Sequence, residues 1–216
     1  MTGVDNIAAT LTLATDADRR EGLGWYASAN IFAQGLAAEY GITVRQAAGI
    51  IAALSPRLSW TLNMRFAHQL CATGDAPVLT LSKRRARAIL AGADPSDVLA
   101  APKGSPRSGQ KVRAFFALIA DPASAHDVCI DRHAYDVWAG DVGDDTTRKV
   151  LDRAGVYDAV AADYRAVADA HDMLPHQVQA ITWNVWKRTK PYDRPQHRAL
   201  FQRSERSEDR SLHQSA

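Results

Sequence analysis

Apolar residues return every third or fourth position along most of this chain, and no stretch keeps up the two-residue alternation of a half-buried strand. Trp25, Ala29, Phe32, Ala33, Leu36 and Tyr40 share one helical face, predicting a helix over 24–40 that ends at Gly41. Thr43 followed three positions later by Gln46 is a capping box, opening a second helix that stops at Ser55-Pro56. Its run from Ala47 to Leu54 is apolar nearly all round, which predicts burial. Ser59 caps a third helix reaching Ala72, with Leu62, Phe66, Ala67 and Leu70 inward and Asn63, Arg65 and His68 on its outer or cleft face. Ser82 opens a basic helix closed by Gly92. Asp94-Pro95 starts a short one to Ala100, and another opens at Gly109.

The second half follows the same rule. A brief helix is expected over 133–139, one capped by Asp145 or Thr146, one over 157–171 with Val160, Tyr164 and Val167 inward, and one starting at Pro175 with Val178, Ile181 and Val185 on one side. Trp183 and Trp186 read as packing residues of that last helix. The fold class is all-α, with residues 1–188 as one two-lobed catalytic domain and 189–216, polar and without an apolar stripe, as a disordered tail.

Composition changes this picture in one respect. The 216 residues are 46% hydrophobic and 23% charged, ordinary for a soluble globular chain, with a formal net charge of +2. Residues 187–216 hold eight Lys/Arg against four Asp/Glu, so the body is nearly neutral and any contact with nucleic acid falls to local patches. Cys71 and Cys129 form neither a disulfide framework nor a zinc spacing, and no apolar run is long enough for a membrane span. A reducing, cytoplasmic setting is expected, with no membrane partner and no metal or other cofactor.

Candidate chemistry concentrates between Lys103 and Gly140. A Gly/Ser/Pro-rich turn containing Gly104, Ser108 and Gly109 leads into Gln110 and Lys111 at a helix start, where backbone N–H groups offer a phosphate site. Twenty positions on, Asp131 and His133 stand at the mouth of another helix. An amine and a carboxylate beside a phosphate-binding turn suit chemistry on a nucleotide. Bland readings compete: Asp131 as an ordinary N-cap, Lys111 as a solvated charge or phosphate contact, His133 as structural, Trp60 as core, Arg57 and the 83–87 basic cluster as solvated surface.

The order of Gly109-Gln110-Lys111, a helix, then Ile130-Asp131-Arg132-His133 resembles the helix-hairpin-helix DNA glycosylases, and the segment from Ile51 to Ala67 resembles the stretch of that family that lines the groove for an extruded base. The resemblance covers roughly residues 45–140. It implies a two-lobed helical fold, with Asp131 as the catalytic carboxylate and Lys111 as the amine nucleophile of the bifunctional members. It also implies that Gly104, Ser108, Gly109, Gln110, Arg57, Trp60, Asn63 and His133 contact double-stranded DNA or the flipped base. The hairpin, Lys103 to Gly109, is longer and more polar than the family's Leu-Pro-Gly-Val-Gly, and the four-cysteine iron–sulfur loop is missing. In these respects the chain looks more like the bacteriophage alpha-glutamyl/putrescinyl thymine pyrophosphorylase clade. That likeness implies transfer of an amine or amino acid onto an activated, pyrophosphorylated hydroxymethyl thymine during DNA hypermodification, in the host cytoplasm. A DNA glycosylase/AP lyase acting on a modified base and a non-catalytic DNA-binding module are the alternatives.

Overall fold

The computed structural model describes residues 2–105 and 109–190, and the fold is all-α: every regular element among those residues is a helix. In order these are α1 (Gly3–Thr12), α2 (Asp16–Tyr40), α3 (Val44–Leu54), α4 (Trp60–Thr73), α5 (Thr80–Leu90), α6 (Pro95–Leu99), α7 (Gln110–Ala120), α8 (Arg132–Ala139), α9 (Asp145–Arg148) running into a 3-10 turn (Lys149–Asp152), α10 (Val156–Ala170) and α11 (Pro175–Thr189). Met1–Trp186 form one unit. Lys187 onward forms another, described only as far as Lys190, so the expectation of a disordered tail falls on residues outside the described ones. None of the described helices is long and apolar enough to cross a membrane.

Local chemistry sets the helix starts. Thr2, Thr15 and Thr43 each accept the N–H three residues on, while Asp5, Asp18 and Gln46 reach back to the N-cap backbone, completing three capping boxes. The first two correct the sequence reading. It placed no helix before residue 24, whereas α1 precedes it and α2 begins at Asp16. Two further starts differ. Ser82 is buried inside α5, whose N-cap is Leu79 without a side-chain bond, and α9 is capped by Asp144 and tightens to 3-10 geometry at Lys149.

α3 is the centre of the larger core. All residues from Ala47 to Leu54 are buried, and α2, α4, α5, α6 and α7 pack round them. Small side chains permit this crowding: a Cβ on Gly49 would collide with Pro95 of α6. A second group of buried residues comes from α1 (Ile7, Leu11), α8 (Ala134, Val137), α10 (Val160, Tyr164, Val167) and α11 (Val178, Ile181, Val185). α2 serves both groups. Its Gly22 lies so close to the Ile181 backbone that any side chain there would drive α2 and α11 apart.

α8 is tied down along its length. Wholly buried Asp136 takes a two-point contact from Arg148, at 2.6 Å to Nη2 and 3.0 Å to Nε, and a third hydrogen bond from the Gly143 N–H at 3.2 Å. Tyr164 donates to the Ala134 carbonyl at 3.0 Å, Trp138 Nε1 donates to Asp163 at 2.7 Å, and Asn6 of α1 donates to the Trp138 carbonyl at 2.9 Å. Arg148→Met removes the guanidinium from a carboxylate that has no access to water. The expected loss is about 3 kcal/mol of folding free energy, read as a lower urea midpoint with an unchanged slope.

Candidate active site

The segment 128–130 lies outside any helix and leads into α8, with the Asp131 N–H donating to the Cys129 carbonyl at 3.1 Å. Tyr157 holds it from the side, accepting from the Ile130 N–H and donating to the Val128 carbonyl, both at 3.0 Å. Asp131 follows as the N-cap of α8, with extended backbone geometry, and its Oδ1 accepts from the N–H groups of His133 at 2.9 Å and Ala134 at 2.8 Å. Oδ2 points the other way and accepts from Trp183 Nε1 of α11 at 3.2 Å. The carboxylate is thus fixed by three donors from two helices, yet Asp131 remains partly exposed.

Lys111 stands in the first turn of α7, with its side chain exposed. Its carbonyl accepts from the Cys129 thiol at 3.6 Å, which joins the start of α7 to the segment entering α8. Burial pushes the Cys129 thiol up to about 12, with the Lys111 ammonium pulling it down and the Asp131 carboxylate pushing it up. The hydrogen bond brings only the backbone of Lys111 to Cys129, two residues before Asp131. Tyr26 lies against the same thiol and donates to Gln179 of α11 at 3.3 Å; burial first, then Cys129, Asp131 and Tyr157, raises its phenol well above the ordinary range.

The remaining predicted residues divide. His133 is buried, its ring edge-on to Trp183 at 5.7 Å, and Nε2 accepts from Arg132 Nε at 3.3 Å. Gly109 caps α7 with φ 75° and supplies no side chain to satisfy the first-turn N–H groups, while Gly104, φ 85°, is exposed in the preceding turn. Gln110 lines a surface pocket of about 390 Å³ with Ser96, Arg113, Phe116, Asp127 and Tyr157. Ser108 lies outside the described residues.

The 57–63 segment stands apart from these. Arg57 is exposed, in the left-handed region at φ 67°. Trp60 packs against Trp25 (5.2 Å between rings) and Phe32 (5.9 Å) of α2, so it is part of an aromatic cluster between α2 and α4. Asn63, expected on the outer or cleft face, is buried: Nδ2 donates to the Ile51 carbonyl at 3.1 Å and ties α4 to α3. Its rank between Leu62 and Phe66 places it on the inner stripe, where a polar side chain survives by bonding a carbonyl.

Trp183, read from sequence as packing, is a direct partner of Asp131, and Tyr157 brackets the segment that leads to it. No local pattern marks these contacts. Tyr157 and Ile130 are 27 positions apart, Trp183 and Asp131 are 52, and only tertiary packing brings them together. Among the described residues no group of three His, Cys, Asp or Glu side chains is placed to hold a metal ion.

The chain belongs to a family described as a family of unknown function (DUF7178), whose model matches residues 1–190. No curated protein matches it, and no solved structure matches it.

The Cys129 environment fixes an alkaline response. The folded thiol holds its proton more tightly than an unfolded one, whose ordinary value is 9.0. Its contribution to stability is therefore complete below that value and is lost as pH rises toward about 12. Cys129→Ala should flatten the fall of urea-unfolding free energy across this range, leaving a residual slope from the buried tyrosines. Trp183→Phe keeps an aromatic ring, smaller than the indole, and removes the N–H to Asp131. A loss of about 1 kcal/mol is expected, measured by chemical denaturation.

Proposed function

We propose that this protein acts on a base extruded from double-stranded DNA, transferring an amine or amino acid onto an activated, pyrophosphorylated hydroxymethyl thymine within a helix-hairpin-helix glycosylase-like scaffold. The observation that carries this reading is the setting of Asp131. It is a partly exposed carboxylate held by three N–H donors from two helices, and the residue two before it, Cys129, bonds the Lys111 carbonyl at the start of α7. The resemblance of the 103–140 segment to a base-directed family supplies the substrate class.

The roles follow from position. Phosphates meet Lys111 and the first-turn N–H groups of α7, where a helix start favours an anion. Flipping the target nucleotide costs a few kcal/mol, offset by contacts in the pocket. Asp131 takes a proton from the incoming amine as its nitrogen bonds to the thymine 5-methylene carbon. The methylene carbon–oxygen bond breaks with its electron pair leaving on pyrophosphate, and no oxidant or reductant is needed. Trp183 and the α8 N–H groups hold the carboxylate at a constant angle through the step.

The test incubates the protein with duplex DNA carrying pyrophosphorylated hydroxymethyluracil and either glycine or putrescine, then digests to nucleosides for mass analysis. The expected product is the amine adduct with release of pyrophosphate. Asp131→Asn should lower its rate by about 10²–10⁴-fold. The same substitution made together with Trp183→Phe avoids setting the new amide against the indole N–H, so lost chemistry is separated from lost folding. Strand scission after alkali on uracil-, oxidised-guanine- or abasic-site duplexes, without an adduct, replaces the transferase by a glycosylase. Full retention of function in Asp131→Asn leaves only a DNA-binding module.

A further inference from the structure

α2 carries an outward face that none of the chemistry above uses. Along its 25 residues the helix buries one side in both cores, while Leu23, Ala27, Ser28, Ile31, Gly35 and Ala38 stay exposed. Leu23 and Ile31 are 45% and 67% exposed, unusual for large aliphatic residues. No charged side chain interrupts the helix between Glu21 and Glu39. Beside Gly24 and Gly35 there is open space: nothing lies within 4 Å of where a Cβ would stand. Such a face admits a close helix neighbour.

The identity of that neighbour is written in the order of the residues. Arg20, Gly24, Ser28, Ile31, Gly35 and Glu39 follow one another at spacings of four, four, three, four and four, a pattern symmetric about the point between Ala29 and Asn30. When a second α2 lies antiparallel across the first with that point on a two-fold axis, Ile31 meets Ser28, Gly24 meets Gly35, and Arg20 meets Glu39. The one large side chain of the set faces a small one, the two glycines let the backbones approach, and each end brings opposite charges together. Both charged residues are exposed, and Glu39 has a 3.4 Å contact with His68. An isologous dimer requires this kind of self-complementarity, because a two-fold axis sets every residue against its symmetric counterpart. An unrelated partner does not. We infer that the α2 face is the interface of a homodimer, two copies packing α2 against α2 antiparallel about Ala29–Asn30. This inference stands apart from the proposed chemistry and survives its failure.

Sedimentation velocity of the full chain over a concentration series tests it. The expected result is a monomer–dimer equilibrium. Gly35→Leu, placed where a Cβ meets nothing within 4 Å, and Ile31→Asp should each weaken the dimer about tenfold or more, with helical circular dichroism unchanged. Arg20→Glu alone and Glu39→Arg alone should weaken it also, and the two together should restore it. A monomer at every concentration overturns the inference and assigns the face to some other partner. A dimer indifferent to Gly35→Leu and Ile31→Asp overturns it by placing the interface elsewhere. A double charge swap that stays monomeric overturns the antiparallel register.

Discussion

The candidate site depends on one carboxylate that serves as a joint. Asp131 ends the 128–130 segment, starts α8 and receives an indole N–H from α11, so two helices meet at its two oxygens. Everything that holds α8 also holds this joint. Asp136 is anchored by Arg148, the Ala134 carbonyl by Tyr164, and the far end of the helix by Asn6 of α1. A side chain supported in this way keeps its angle, which is the condition for a group to gain from proximity and orientation.

The thiol beneath the joint sets the electrical character of the place. Cys129 is buried, and its protonated form is favoured strongly enough that it behaves as a small neutral hydrophobe. It adds no charge of its own, and its hydrogen bond to the Lys111 carbonyl fixes the spacing of α7 from the segment entering α8. Burial likewise raises the phenols of Tyr26 and Tyr157, so these neighbours carry no formal charge either.

Much of this architecture was legible from residue order, for a simple reason: most helices bury one face, and a buried face repeats with the helical period. α3, α4, α7, α10 and α11 follow their apolar stripes closely, and the inward residues Val160, Tyr164, Val167, Val178, Ile181 and Val185 are all buried. Misreadings arose where another rule governs. α1 and the start of α2 are announced by Thr/Asp capping boxes rather than by a stripe. Ser82 has the chemistry of a cap but is buried within α5, and Asn63 is polar yet occupies an inward position because it satisfies the Ile51 carbonyl. For the site, Asp131 and Lys111 could be singled out because each opens a helix. Trp183, Tyr157 and Tyr26 could not, since their contacts with the site bridge long loops of sequence and leave no periodic trace.

Aspartate is a constrained choice at position 131. Capping α8 needs one oxygen, and Ser, Thr or Asn would serve. The second oxygen changes the requirement, because it faces the N–H of Trp183, a group that can only donate. Serine and threonine have no second oxygen to offer, and asparagine, with its oxygen kept on the helix, would turn an amide donor toward that indole. A carboxylate alone satisfies both sides at once. Structure thus demands an acid at this position before any reaction is considered, and partial exposure of that acid is something the helix cap alone does not require. The proton transfer proposed for Asp131 would therefore need no further ordering of its side chain.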